Sequence, residues 1–197
     1  MRIGVFCGGT VGHNPQFTAA THDLAVELAN RRIGIVFGGA RIGLMGVLAD
    51  SALAVGGDII GVIPHWLRDR EIVHERVPQM HVVGGLAERK QVMARFSDAF
   101  LALPGGVGTM DELFEMCTWN KLGLQHKPCG LLNVDGFYDE LAAFLTRVRT
   151  AGFLPENTSD LVTVSPDIHH LVGALVATAP PTYSPGPIPP VTAGPGG

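Results

Sequence analysis

Charge is scarce in this chain. Lys, Arg, Asp and Glu make up 16% of its 197 residues, against about 25% in soluble domains on average. Hydrophobic residues reach 46%, which excludes wholesale disorder. Cations are the scarcer sign: 14 Lys and Arg stand against 18 Asp and Glu, a formal net charge of −4. Duplex nucleic acid is held chiefly by phosphate neutralisation, so a nucleic-acid partner is not expected. A local basic pocket for one small phosphate is still compatible with this balance.

Cysteine is rare too. Cys7, Cys117 and Cys129 form no Cys-x-x-Cys pair, which removes zinc ribbons and disulfide frameworks. An odd count suits a reducing compartment. No apolar run reaches about 18 residues, so no membrane span is expected. The opening stretch, MRIGVFCGG, meets glycine too early for a signal peptide. The expected location is the cytoplasm.

Several catalytic signatures are missing. There is no Gly-x-Ser-x-Gly elbow and no His-Glu-x-x-His, so neither a hydrolase triad nor a zinc protease is supported. His13, His22, His65, His74, His81 and His126 are scattered, and His169-His170 are adjacent. No metal site and no cofactor are expected from these spacings.

What is present is one repeated unit, in a chain long enough to bury a real core. A short apolar run ends in glycine or proline, and an amphipathic stretch follows. The runs are Ile3–Cys7, Ile33–Phe37, Ile59–Ile63, Phe100–Leu103 and Gly130–Leu132. Nearly continuous apolar runs of this length read as strands buried on both faces of a parallel sheet. Helical stripes lie between them. Examples are Phe17, Ala20, Leu24, Ala25 and Leu28; Leu113, Met116, Cys117 and Leu122; and Leu141, Phe144, Leu145 and Val148. The alternation predicts an α/β fold: Rossmann-like, three layers, a mainly parallel doubly wound sheet. Ligands of such sheets sit beyond the carboxyl ends of the strands, where the glycines are.

Two segments break the rhythm. Residues 64–79 are polar and charged, and read as an excursion over the strand ends. Residues 179–197 hold seven of the 14 prolines and no charge. They read as an extended tail after a single domain spanning 1–178.

The strongest motif is Leu103-Pro104-Gly105-Gly106-Val107-Gly108-Thr109-Met110-Asp111-Glu112. Glycines let the backbone approach a ligand, and the amides of a helix start attract an anion. Thr109 can cap the helix or donate to a phosphate oxygen. The motif is neither a Walker loop nor a dinucleotide fingerprint, since the Lys and the third Gly are missing. Asp111 and Glu112 are placed in the first helical turn, where carboxylates are favoured as helix-end partners. A second element, Glu88-Arg89-Lys90, puts cations at a helix start, which the dipole disfavours unless an anion or a carboxylate is near. If the strands before Arg89 and Glu112 are neighbours, the two residues share one crevice. A third element, Phe37-Gly38-Gly39-Ala40-Arg41-Ile42-Gly43-Leu44-Met45-Gly46, allows close approach at Gly39, Gly43 and Gly46. Met45 can pack on a flat base.

These residues resemble the LOG family, the "lonely guy" cytokinin-activating enzymes often misnamed lysine decarboxylases. Pro104–Glu112 is similar to that family's PGGxGTxxE motif, and Arg89-Lys90 to its upstream Arg-Lys. Gly38 through Gly46, and Lys127-Pro128 through Asp139, are similar to further family segments. The resemblance covers about residues 1–178. It implies cleavage of the N-glycosidic bond of a nucleoside 5′-monophosphate, adenine or N6-prenylated adenine being the base, with ribose 5-phosphate as the other product. It implies that Arg89 and Glu112 are the catalytic pair and that the protein is a homodimer. The chain departs from the family at Leu86-Ala87, at Gly8-Gly9-Thr10 and at Ala40, positions that bear on substrate preference. On this reading Glu112 stabilises an oxocarbenium-like sugar and handles the attacking water. Arg89 holds substrate oxygens and keeps Glu112 ionised. The amides of Gly105, Gly106, Gly108 and Thr109 hold the phosphate, with Gly39, Met45 and Lys90 also at the substrate. Asp111 and Glu115 are the fallback carboxylates. The rival reading is a non-catalytic nucleotide or molybdenum-cofactor carrier of the same fold.

Overall fold

The computed structural model describes residues 1–68, 70, 72–154 and 161–180. Most of the proline-rich tail, from residue 181 on, lies outside the described residues. Seven strands run through the described chain: β1 (Arg2–Phe6), β2 (Gly34–Phe37), β3 (Ile59–Pro64), β4 (Gln79–Val83), β5 (Ala99–Ala102), β6 (Cys129–Leu132) and β7 (Thr163–Ser165). All pair in parallel, in the order β4-β3-β2-β1-β5-β6-β7. The helices are α1 (Pro15–Asn30), α2 (Gly43–Ala54), α3 (His65–Arg68), α4 (Leu86–Phe96), α5 (Val107–Lys121), α6 (Asp139–Thr150) and α7 (Ile168–Thr178).

Strand alternation divides the core in two. Ile3, Val5, Ile35 and Phe37 face Leu24, Leu28, Leu44, Leu48 and Leu171 of α1, α2 and α7. Phe6, Val36, Phe100 and Ala102 face Val92, Met93, Leu113 and Met116 of α4 and α5, with Leu141 and Leu145 of α6 at the edge. This is the three-layer, doubly wound arrangement, with the sheet parallel throughout. Three details differ from the sequence pattern. Leu122 lies just past α5 and is 65% exposed, and Phe144 is 57% exposed on α6. The pattern also names no element beyond Val148. β7 is only three residues long, too short to show a period, and α7 starts where Asp167 accepts a hydrogen bond from the His170 amide at 2.9 Å.

The chain winds outward from β1 to β4 and then returns to add β5 on the other side of β1. The turns after β1 and β5 therefore diverge, and a crevice opens between them. Backbone bonds hold its walls: the Leu103 amide to the Phe6 carbonyl (2.9 Å), the Gly8 amide to the Pro104 carbonyl (3.1 Å) and the Leu44 amide to the Gly8 carbonyl (3.0 Å).

The excursion after β3 is anchored rather than loose. Ala40 and Val73 form an antiparallel bridge. The Arg41 amide donates to the Ile72 carbonyl at 2.8 Å, and the His74 amide to the Gly39 carbonyl at 2.9 Å. The excursion thus lies against the turn after β2, as its polarity and position suggest.

Candidate functional site

β5 ends at Ala102, and the chain turns through Leu103–Gly106 into α5. Gly106 is the N-cap, and no side chain caps this helix. Thr109 does not serve as the cap that its position offers. It is buried, and its hydroxyl lies against the Cα side of Gly105, where a Cβ would overlap it. Among the described residues the first amides of α5 are therefore without a side-chain cap, in a helix start that attracts anions. Helix α5 begins at Val107, so Asp111 and Glu112 fall in its second turn rather than its first. Glu112 is 7% exposed there, one of the buried residues of α5.

Glu112 meets Arg89. The two side chains form an ion pair and are 9% and 14% exposed. The route differs from the one the sequence suggested. β4 and β5 are not neighbours, since β3, β2 and β1 lie between them. α4 instead crosses back over that face, packing Val92, Met93 and Ala94 against the sheet. Its N-terminal end thereby arrives beside α5. Arg89 also stands over the turn after β2: a Cβ added at Gly38 would lie 3.5 Å from its Nη1 and 3.0 Å from the Met45 sulfur. Arg89 Nε is buried and has no hydrogen-bond partner among the described residues. A buried donor left unpaired is costly, and such groups mark places where something else accepts.

Lys90 reaches across to α5. It pairs with Asp111 (2.8 Å) and with Glu115, and is 12% exposed. Burial alone would push its ammonium down, but these two hydrogen bonds outweigh it, and Lys90 titrates above its ordinary value. The cations at the start of α4 are thus bound to carboxylates of α5 and are not a solvated face. Glu88 completes the turn by accepting the Gly84 amide at 2.7 Å.

A pocket of about 150 Å³ is lined by Gly8, Thr10, Gly12, Phe17, Leu44, Pro104, Gly105, Gly106 and Phe137. The turns after β1 and β5 form its walls. Gly105 and Gly106 sit on one wall; Gly108 and Thr109 follow in the first turn of α5 and do not line it, while Gly39 lies on the turn after β2 and Met45 in α2. Sequence reasoning missed two groups. Cys7 is buried near Glu112, and burial together with that carboxylate pushes its thiol up. Tyr138 is buried and donates to the Leu103 carbonyl at 2.6 Å, fixing the end of β5. Neither contact has a local sequence signal.

The charge on Glu112 is opposed chiefly by burial, which raises its pKa; Arg89 pulls the other way without cancelling it. Arg89 was expected to hold Glu112 in the ordinary ionised range, and burial instead wins. The consequence is a testable profile. If deprotonated Glu112 does the work, kcat/KM falls on the acid side with an inflection above 4.5, the ordinary glutamate value. Arg89→Met removes the counterweight and moves that inflection to still higher pH. For stability the sign is opposite: the group's contribution is present below 4.5 and is lost as pH climbs through the raised value. An inflection at or below 4.5 would contradict this placement.

Comparison with known proteins now bears on the site. A family model described as "Possible lysine decarboxylase" matches residues 45–175. The chain is 44% identical over 171 residues to cytokinin riboside 5′-monophosphate phosphoribohydrolase LOG of Oryza sativa subsp. japonica, covering 87% of this chain and 71% of that one. The chain belongs to the LOG family. It is also 42% identical over 179 residues to LOG5 of Arabidopsis thaliana, covering 91% and 78% of the two chains. Among solved structures, the Moco carrier protein from Chlamydomonas reinhardtii superposes with a TM-score of 0.67 at 22% identity, covering 90% of this chain and 96% of that one. At that identity the likeness is one of fold alone. The match of this LOG-family chain takes in α4 and α5, so the Arg89–Glu112 pair lies inside it. No helix among the described residues is long and apolar enough to cross a membrane.

Proposed function

We propose that the protein hydrolyses the N-glycosidic bond of an adenosine 5′-monophosphate, N6-prenylated by preference, to a free base and ribose 5-phosphate. The observation that carries this is the buried Arg89–Glu112 pair beside a glycine-lined helix start, with Arg89 Nε lacking an acceptor among the described residues. A carrier of nucleotide or molybdenum cofactor needs an anion cradle but has no use for a desolvated carboxylate at its edge. The fold likeness to carrier proteins carries no argument for that activity.

In the proposed reaction the 5′-phosphate sits on the amides of Gly105, Gly106, Gly108 and Thr109, helped by the start of α5. Arg89 donates to ribose oxygens. The C1′–N bond breaks with its electron pair leaving on the base, and positive charge builds on the sugar. Glu112 supplies the carboxylate that stabilises that charge and takes a proton from the attacking water. The water oxygen bonds to C1′, and the base acquires a proton from solvent. Met45 and Gly39 form the floor on which the base lies. Lys90 joins α4 to α5 and so holds Arg89 and Glu112 at fixed separation.

The homodimer belongs to the same proposal. Val107 is 86% exposed at the start of α5 and shares a shallow groove with Met110 and Phe114. A second copy covering this stripe would close the site. A light-scattering mass of one 20.8 kDa chain would contradict it.

The test is chromatographic. Purified protein is incubated separately with AMP and with isopentenyladenosine 5′-monophosphate. Free base from the prenylated nucleotide, with little from AMP, is expected. Base from AMP alone would overturn the preference, and none from either would overturn the reaction.

A further inference from the structure

Outside the catalytic pair, one buried polar side chain among the described residues has an unpartnered atom. His74, in the excursion between β3 and β4, is 4% exposed. Its Nε2 lies 3.0 Å from Asp50 Oδ1 on α2. Its Nδ1 is buried without a hydrogen-bond partner. With Nε2 protonated, the ring donates to Asp50 and leaves Nδ1 as a bare, desolvated acceptor. That arrangement costs stability, and an apolar residue of similar size would avoid the cost. The position therefore serves something other than packing.

Its surroundings indicate what. The His74 amide donates to the Gly39 carbonyl, and the Arg41 amide to the Ile72 carbonyl. Residues 72–74 thus lie as a strap along Gly39–Arg41, the turn that leads from β2 into α2. Gly38, where that turn begins, has both the Met45 sulfur and the Arg89 guanidinium beside it: a Cβ there would lie 3.0 Å from the first and 3.5 Å from the second. The strap is fastened at two ends: by backbone bonds to the turn, and by the His74 ring to the third turn of α2. Arg76 reaches the same carboxylate, but Asp50 and Arg76 are both largely exposed there, and exposed pairs hold little. The His74 bond is the better sheltered of the two: its ring is 5% exposed, although the carboxylate it meets is 55% exposed.

We propose that His74 is a positioning residue. Through Asp50 it fixes the strap against the turn after β2, and so sets the floor under the substrate's base without touching substrate. This rests on the hydrolase reading above for the identity of the substrate. It goes beyond that reading in assigning base-side binding to a residue in the excursion.

The floor contributes to binding before and during reaction alike, whereas Glu112 acts on the reacting bond. Loss of the clasp should therefore appear in KM and not in kcat. The experiment compares the full-length wild type with His74→Leu and His74→Gln. It measures KM and kcat for base release, the Kd for AMP by calorimetry, and the melting temperature. His74→Leu fills the volume and removes the donor. His74→Gln restores an amide N–H that can reach Asp50 and, like the ring, keeps one acceptor, its carbonyl oxygen.

The expected result is a KM and a Kd raised about tenfold or more in His74→Leu, with kcat within about threefold and recovery of both constants in His74→Gln. Unchanged KM and Kd in a folded His74→Leu would overturn the proposal. So would failure of His74→Gln to recover, or equal losses in kcat and KM that track only the folded fraction. Absence of base release in the wild type would overturn the hydrolase reading instead, and Kd would still report on the strap.

Discussion

Glu112→Gln should lower kcat by about a thousandfold, in the middle of the range for removing a positioned acid–base group. The fold should survive. Gln has the same length, keeps an oxygen for Arg89 to donate to, and removes a charge whose burial is itself unfavourable. An unchanged circular dichroism spectrum, with nucleotide affinity within about threefold of wild type, would separate lost chemistry from lost structure. The effect belongs to this carboxylate and not to acidity in general. Asp111, one residue earlier, is 57% exposed and already paired with Lys90. Glu115 is on the same lysine. Asp111→Asn and Glu115→Gln should therefore retain most turnover. Near-normal turnover in Glu112→Gln would sink the assignment and return those two residues to consideration.

The second large effect is on the fold. Gly43 opens α2 at φ +58°, in the left-handed region. A Cβ there would overlap the backbone of Gly9 and Thr10 in the turn after β1. Two costs add: the left-handed conformation for a residue with a Cβ, and the displacement of backbone that cannot rotate away. Together they amount to about 3 kcal/mol or more, or about 10 °C in melting temperature for a chain of this size. Turnover should fall as well, because the displaced turn walls the crevice. Gly108→Ala is the control. A Cβ at Gly108 meets nothing within 4 Å, and Ala is the better helix former. Its melting temperature should stay level or rise. A Gly43→Ala protein that melts with wild type would contradict the close approach of these turns.

The two substitutions mark what the sequence discloses and what it hides. Runs such as Ile59–Ile63 and the glycines after them are local signals, and the strands and turns fall within a residue or two of them. Gly43 belongs to that class, since a strand ending in glycines before a helix already implies close approach. The Arg89–Glu112 pair is different. The motif marks both residues, yet their meeting depends on α4 recrossing three strands, which no local pattern encodes. Burial then reverses the expected direction of the Glu112 shift, because desolvation is a property of the packed site. Cys7, Tyr138 and His74 are the extreme case. Each acts through contacts across separate segments: 24 residues apart for His74 and Asp50, 35 for Tyr138 and Leu103, and further still for Cys7 and Glu112. In the sequence they are an odd cysteine, a tyrosine in a family-like segment and one of eight histidines.

The measurement that bears most directly on the central claim follows the phosphorus signal of isopentenyladenosine 5′-monophosphate by NMR, in buffer free of inorganic phosphate, with the free base quantified from the same tube. The account predicts conversion of the nucleotide signal to that of ribose 5-phosphate, equimolar with the released base. A nucleotide signal that broadens on binding but never converts, with no base released, would contradict it.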